Sequence, residues 1–266
     1  MTDEVSGFLL DRDAGAPWPV YTDGSGPPVL VLHELMGLTP PALAFARRVV
    51  DSGFTVYLPV LSGPAPATSR GDMLKAALGV CVSREIHLLK SGATSPIVTP
   101  LRALARYATD KAGTRGAGVV GMCFSGGFAL ALAADEPVLA GVAAQPSLPY
   151  APLKPWCAGD LGLDRKDVED LEARLATGDT GIYVARFTED RTSPRRRLQA
   201  IKQKFGTENV TIDELPSYPD NEFGFAASDH SVLAVAPANY PAGSAAAARL
   251  EQAFGDVITF LTERLT

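Results

Sequence analysis

Four side chains in this sequence have the types and the chain order that acyl-transfer chemistry needs: Glu34, Cys123, Asp190 and His230. A thiol attacks a carbonyl carbon as its thiolate, so it needs a base to take its proton, and that base needs an acid to orient it. Cys123 lies in GVVGMCFSGGFALAL, residues 118 to 132, where an apolar run stops at a cluster of small residues and resumes with the Ala/Leu spacing of a buried helix. A strand that turns sharply into a helix with a nucleophile at its apex is a nucleophile elbow. The small neighbours let strand and helix pass closely, and the apex residue adopts a strained backbone. A helix start also favours the thiolate through the macrodipole. The competing reading of Cys123 is a buried, inert thiol. Ser125 is the rival nucleophile. It would require the strand to run two residues further and Cys123 to take the tight position that Gly121 fills better.

Hydrolases built on such an elbow carry nucleophile, acid and histidine in that chain order, each near the end of a strand. The sequence has three histidines, and His33 and His87 both precede Cys123, which leaves His230 as the eligible base. The acid must lie between them. Asp190 follows the apolar run IYVARFTE directly and precedes Pro194 by four residues; Asp213 and Glu214, inside or at the end of the next apolar run, are weaker candidates. Asp190 could instead be a helix N-terminal residue interacting with the dipole. The Phe124 N–H, just past the nucleophile, is one expected oxyanion donor, and the Leu35 N–H, in His33-Glu34-Leu35-Met36-Gly37, is the other. Glu34 in that turn would share the site with Cys123, where a carboxylate disfavours a neighbouring thiolate. A solvated loop glutamate is the alternative.

The elements that must hold these residues are legible as apolar runs separated by turn chemistry. Residues 27–33 (PPVLVLH), 54–60, 118–122, 139–144, 181–187 and 210–215 read as strands buried on both faces, as in a parallel sheet. Helices are expected over 39–52, opened by Thr39-Pro40-Pro41, and over 100–111, 125–134, 161–176, 194–205 and 242–265. Strands alternating with helices predict an α/β chain with a doubly wound, mostly parallel sheet and helices on both faces. Residues 61–99 are irregular, rich in Ser, Gly, Pro and Ala, with a short helix around 73–78. A crossover of that length reads as a lid or pocket wall.

The bulk composition narrows the function classes. With 266 residues, 46% apolar and 20% charged, one large domain spanning 1–266 is expected, neither disordered nor membrane-spanning. A net charge of -6 argues against nucleic acid or an anionic membrane surface as partner. Met1 to Val20 holds four carboxylates and no long apolar segment, so a cytoplasmic location is expected. The three cysteines are widely spaced with no C-x-x-C pair, which suggests free thiols and neither a disulfide framework nor a metal site.

The elbow GMCFSGG, the HELMGL turn, Asp190 and His230 together resemble the dienelactone hydrolase family over most of the chain from about Pro27. The resemblance implies an α/β-hydrolase fold with a Cys123, Asp190, His230 triad and no metal or organic cofactor. It also implies a switch in which Glu34 contacts the resting cysteine until a substrate carboxylate disturbs that contact and Cys123 attacks a lactone or ester carbonyl. Two features depart from the family pattern, Ser125 in place of the usual glycine and the long crossover. The arginines that bind the substrate carboxylate therefore have no direct match, and Arg84 is the candidate for one of them. The leading expectation is an esterase or lactonase acting on a small-molecule substrate through a thioester acyl-enzyme. The alternatives are a non-catalytic ligand-binding protein of the same fold and a redox-sensing thiol protein. Neither the substrate nor the oligomeric state is fixed by the sequence.

Overall fold

A computed structural model describes residues 2–82, 92–147 and 155–266. Nine strands form one sheet: β1 (Glu4–Val5), β2 (Phe8–Leu10), β3 (Val20–Asp23), β4 (Pro28–Leu32), β5 (Thr55–Pro59), β6 (Ala117–Met122), β7 (Val138–Ala144), β8 (Gly181–Phe187) and β9 (Val210–Leu215). Their order is β1-β2-β3-β5-β4-β6-β7-β8-β9. From β5 to β9 all neighbours run parallel, whereas β1, β2 and β3 form an antiparallel extension joined to β5. The six strands expected from the apolar runs are all present. The antiparallel extension is not marked by any such run, because its strands have only two, three and four residues.

The helices are α1 (Pro40–Asp51), α2 (Arg70–Val82), α3 (Val98–Ala112), α4 (Gly126–Ala133), α5 (Arg165–Thr177), α6 (Arg195–Phe205), α7 (Ala236–Asn239) and α8 (Ala245–Leu265). Strand residues alternate between two cores: Val29 and Val31 of β4 face one, Leu30 and Leu32 the other. The first core is closed by α1 through Leu43, Phe45 and Val49 and by α8 through Leu250, Val257 and Leu261. The second is closed by α3, α4, α5 and α6, with Leu101, Leu130, Leu171 and Ile201 among the contributors. Helices on both faces make this the doubly wound α/β-hydrolase arrangement.

The crossover at 61–99 contains more helix than its composition predicts. Instead of a short helix near 73–78, α2 runs for 13 residues. Its start is fixed by a reciprocal cap in which the Asp72 N–H donates to the Ser69 hydroxyl and the Ser69 N–H donates to the Asp72 carboxylate, at 3.1 Å each. That S-x-x-D signal is present in the sequence. Residue Arg84 lies outside the described residues. Among the described residues no helix is long and apolar enough to cross a membrane.

Candidate active site

In parallel α/β sheets ligands bind beyond the carboxyl ends of the strands, where connections diverge to opposite faces. Here the C-terminal ends of β4, β6, β7 and β8 deliver Glu34, Cys123, Gln145 and Asp190 to one place, and the loop after β9 delivers His230. A cavity of about 740 Å³ opens there, lined by Glu34, Leu35, Cys123, Asp190 and His230 among others.

The elbow has the geometry that its residue types demand. Cys123 has φ +59°, a left-handed conformation rare for a side-chain-bearing residue. At Gly121 a Cβ would lie 2.2 Å from the Ser125 carbonyl oxygen, so the turn from β6 into α4 needs glycine there, and at Gly126 it would lie 2.8 Å from Pro146 Cα, so the start of α4 needs glycine to lie against the end of β7. A three-residue 3-10 turn, Cys123–Ser125, leads into α4. Ser125 is 0% exposed. Its hydroxyl accepts from the Met122 N–H at 2.9 Å and lies 3.0 Å from the Leu32 carbonyl and 2.9 Å from the Met122 carbonyl. The serine therefore ties the elbow to β4 from beneath and faces away from the cavity that Cys123 lines.

Asp190, His230 and Cys123 form a connected chain. His230 Nδ1 lies 2.6 Å from Asp190 Oδ2 and 2.9 Å from the Thr192 hydroxyl, and the ring also interacts with the Cys123 side chain, which lines the same cavity. Burial works against the imidazolium. The bonds to Asp190 and Cys123, and the charge interactions of the same two groups, outweigh it and push His230 up to about 10. Asp190 is buried, which alone would raise it, but His230 and the donors from Thr192 and Ser193 hold it below its ordinary value. Its Oδ1 receives the Thr192 hydroxyl at 2.8 Å, the Thr192 N–H at 2.9 Å and the Ser193 N–H at 3.1 Å.

The loop carrying Asp190 is anchored by Arg186, which is 1% exposed near the end of β8. Its guanidinium donates to the carbonyls of Ser193 at 2.9 Å, Thr188 at 3.1 Å and Asp190 at 3.3 Å, and pairs with Glu214 at 2.7 Å. Glu214, a weaker candidate for the acid, thus neutralises the cation that shapes the acid's loop. Asp213, the other, pairs with Arg249.

The turn after β4 is set by His33, buried to 1% exposure. The ring accepts the Leu61 N–H at Nε2, 3.0 Å away, which fixes the proton on Nδ1, and Nδ1 donates to the Glu34 carbonyl at 2.7 Å. Burial pushes His33 down to about 4, against the bond to Glu34, so the ring is neutral. Behind the turn, Gly37 abuts Ala76 of α2: a Cβ there would lie 3.0 Å from the alanine Cβ. The crossover therefore buttresses the turn, and among the described residues none of its members lines the cavity. Leu35 lines the cavity beside Cys123, and no backbone acceptor among the described residues pairs with its N–H. Phe124 follows Cys123 in the 3-10 turn.

Glu34 departs from the contact that the resemblance implies. Its carboxylate receives Gln145 Nε2 at 2.8 Å and interacts with the Ser231 side chain, while Cys123 interacts with His230. Burial raises Glu34 above its ordinary value, opposed by those two side chains and by His230, with the nearby Asp190 charge adding to the rise. Two residues passed over in the sequence thus matter to the arrangement. Gln145 is the first polar residue after the wholly apolar strand VLAGVAA, and Arg186 is the single charge within GIYVARF; each is a visible anomaly. Arg191 also lines the cavity, the one arginine to do so among the described residues. No group of three His, Cys, Asp or Glu side chains suited to a metal occurs among the described residues.

Solved structures of other proteins share this fold at low sequence identity. A Klebsiella pneumoniae protein assigned to the dienelactone hydrolases is 18% identical, covering 95% of this chain and 97% of its own, with a TM-score of 0.60. The dienelactone hydrolase from Anabaena variabilis is 13% identical over 97% of this chain and 98% of its own, with a TM-score of 0.58. Est1E from Butyrivibrio proteoclasticus, with ferulic acid bound, is 14% identical over 99% and 98%, with a TM-score of 0.56. Among curated proteins no relative matches the sequence. The family model described as the dienelactone hydrolase family matches residues 18–265, nearly the whole chain, and the protein therefore belongs to the dienelactone hydrolase family.

Proposed function

We propose that this protein hydrolyses carboxylic esters or lactones through a thioester acyl-enzyme on Cys123. The observation that carries this reading is the Asp190–His230 pair, 2.6 Å apart, in one cavity with a cysteine at φ +59° at the mouth of a strand. His230, pushed up to about 10, holds the proton of the Cys123–His230 pair, and the sulfur forms a bond to the carbonyl carbon as the π electrons move to oxygen. The Leu35 and Phe124 N–H groups receive that oxyanion. Collapse breaks the ester C–O bond, and the His230 proton goes to the departing alkoxide, which in a lactone stays tethered. His230 then deprotonates water for attack on the thioester, and the carboxylic acid leaves as the sulfur is released. Asp190 holds the imidazole orientation and stabilises its cation throughout.

A substrate with a free carboxylate suits the family, and the cation for it would come from Arg84 or from Arg191 in the cavity wall. Turnover of short-chain aryl esters and of unsaturated lactones bearing a carboxylate tests the reading. Activity lost in both Cys123→Ala and His230→Ala supports it. Saturable binding without turnover by the unaltered protein would replace it with a ligand-binding role.

A further inference from the structure

We propose that Gln145 is a positioning residue that binds the Glu34 carboxyl to the loop carrying His230 and so holds that carboxyl off the Cys123 sulfur. The inference rests on the proposed hydrolysis for its kinetic readout, though not for its chemical one. Gln145 follows β7, the strand beside the elbow, and is 0% exposed. It adopts φ +35°, a conformation that side-chain-bearing residues avoid, and its N–H is held by the Ala185 carbonyl at 2.6 Å. Strain of this kind persists where the surroundings over-determine it, and here the side chain supplies the reason.

Its amide makes two bonds that together fix its orientation. Nε2 donates to Glu34 Oε1 at 2.8 Å, and Oε1 accepts the Val232 N–H at 3.2 Å. Val232 is two residues beyond His230. The residue between them, Ser231, interacts through its side chain with the same Glu34 carboxyl and accepts the Val235 N–H at 2.9 Å. Glu34 is thereby gripped from the β7 end and from the base's own loop. A neutral amide can donate to a carboxylate and accept from a backbone N–H at once without adding charge. That matters because the groups around Glu34 are already charged or ionisable: Asp190 on the loop after β8, His230 on the loop after β9, and the Cys123 sulfur at the elbow. Gln145 touches neither the nucleophile nor the base; it acts through the carboxyl and the loop.

Two substitutions test this. Gln145→Leu strands the Glu34 oxygen and the Val232 N–H, and kcat should fall about 10- to 100-fold with KM changed less than about threefold. Gln145→Glu is nearly isosteric and folds where the leucine variant fails. While the introduced carboxyl is protonated it can still donate to Glu34 and accept from Val232, but once both carboxyls ionise they repel. The kcat of this variant should therefore match wild type at low pH and fall at least about tenfold along a new alkaline limb absent from the wild-type profile. The rate of Cys123 alkylation by iodoacetamide should show the same new pH dependence. A residue that only stabilised the fold would lower the melting temperature and leave both profiles unchanged in shape. Superimposable wild-type and Gln145→Glu profiles would overturn the proposal. If no ester is turned over, the hydrolase reading fails while the alkylation profile still decides the role of Gln145.

Discussion

The site has a floor and a wall, and each holds a histidine in an opposite state. His33, under the turn after β4, is pushed down to about 4; His230, on the wall, is pushed up to about 10. His33 is fully buried and His230 partly so, and burial opposes the cation in each. Their partners differ. His33 meets only uncharged backbone, the Leu61 amide and the Glu34 carbonyl, whereas His230 meets a carboxylate and a thiol. Neutral partners leave the cost of burying a charge standing, and ionisable ones outweigh it. On the proposed mechanism the floor holds shape, through His33 and Ser125, and the wall holds and moves a proton, through Asp190, Thr192 and His230. Floor substitutions should therefore cost stability and wall substitutions should cost rate.

The largest effect is expected where the wall loses its charge. Asp190→Asn keeps the size of the side chain and removes the negative partner of His230, so kcat/KM should fall about 100- to 10,000-fold. The alkaline limb of the pH–rate profile, set by the imidazolium near 10, should move down toward the ordinary histidine range. Retained activity with an unmoved limb would mean that Asp190 does not orient the base.

The second effect tests the floor. Neutral folded His33 binds fewer protons than the unfolded chain, whose histidine titrates near 6.5, so its contribution to stability is present above that value and is lost as pH falls toward about 4. The slope can reach about 1.4 kcal/mol per pH unit, on the order of 3 kcal/mol over the window. Urea unfolding at about pH 7, 6 and 5 measures it, and His33→Gln should flatten the slope between those points. An unchanged slope would assign the acid sensitivity to the carboxylates instead.

This division into floor and wall is only partly legible in the sequence. The central parallel strands are readable because burial on both faces leaves a run such as VLAGVAA with no polar interruption, whereas the edge strand β9, VTIDEL, is only partly buried. The elbow is readable because a close backbone approach at Gly121 and Gly126 tolerates no Cβ. His230 and Asp190 can be picked out by chain order. Pairings across the sheet cannot: Gln145 meets Glu34 across 111 residues of sequence and Val232 across 87, and neither partner is marked by local spacing. The same holds for Arg186, which gathers the carbonyls of the acid's loop by folding back on its own strand end. The antiparallel extension escapes a reading by pattern because strands of two to four residues carry too few positions to show a period. Ser125 reads as a rival to Cys123 because sequence spacing does not show on which side of the elbow a hydroxyl falls.

Ser125 gives the third test and returns to the floor. Ser125→Ala removes the acceptor of the Met122 N–H and a donor to the backbone carbonyls beneath the elbow, which should cost about 1–3 kcal/mol of stability. Turnover by the folded fraction should stay within about threefold of wild type. If Ser125→Ala abolishes turnover while Cys123→Ala retains it, the nucleophile is the serine and the floor is misassigned.

The smallest effect separates a positioning group on the wall from the charge it serves. The Thr192 hydroxyl donates to Asp190 Oδ1, so its lone pair faces the His230 Nδ1–H, 2.9 Å away. It thus orders the acid and shares the proton that the acid holds, while the Thr192 N–H reaches Asp190 independently. Thr192→Val keeps the shape and the backbone donor and deletes the hydroxyl, which is worth about 0.5–1.5 kcal/mol, or about two- to tenfold in kcat/KM. Losing an acceptor for the imidazolium proton should also lower the alkaline limb slightly, in the same direction as Asp190→Asn and by much less. Thr192→Ser restores the hydroxyl and should recover both the rate and the limb. A valine variant that loses stability but keeps the limb would place Thr192 with the floor, because a hydroxyl that only packs has no effect on where the proton is held.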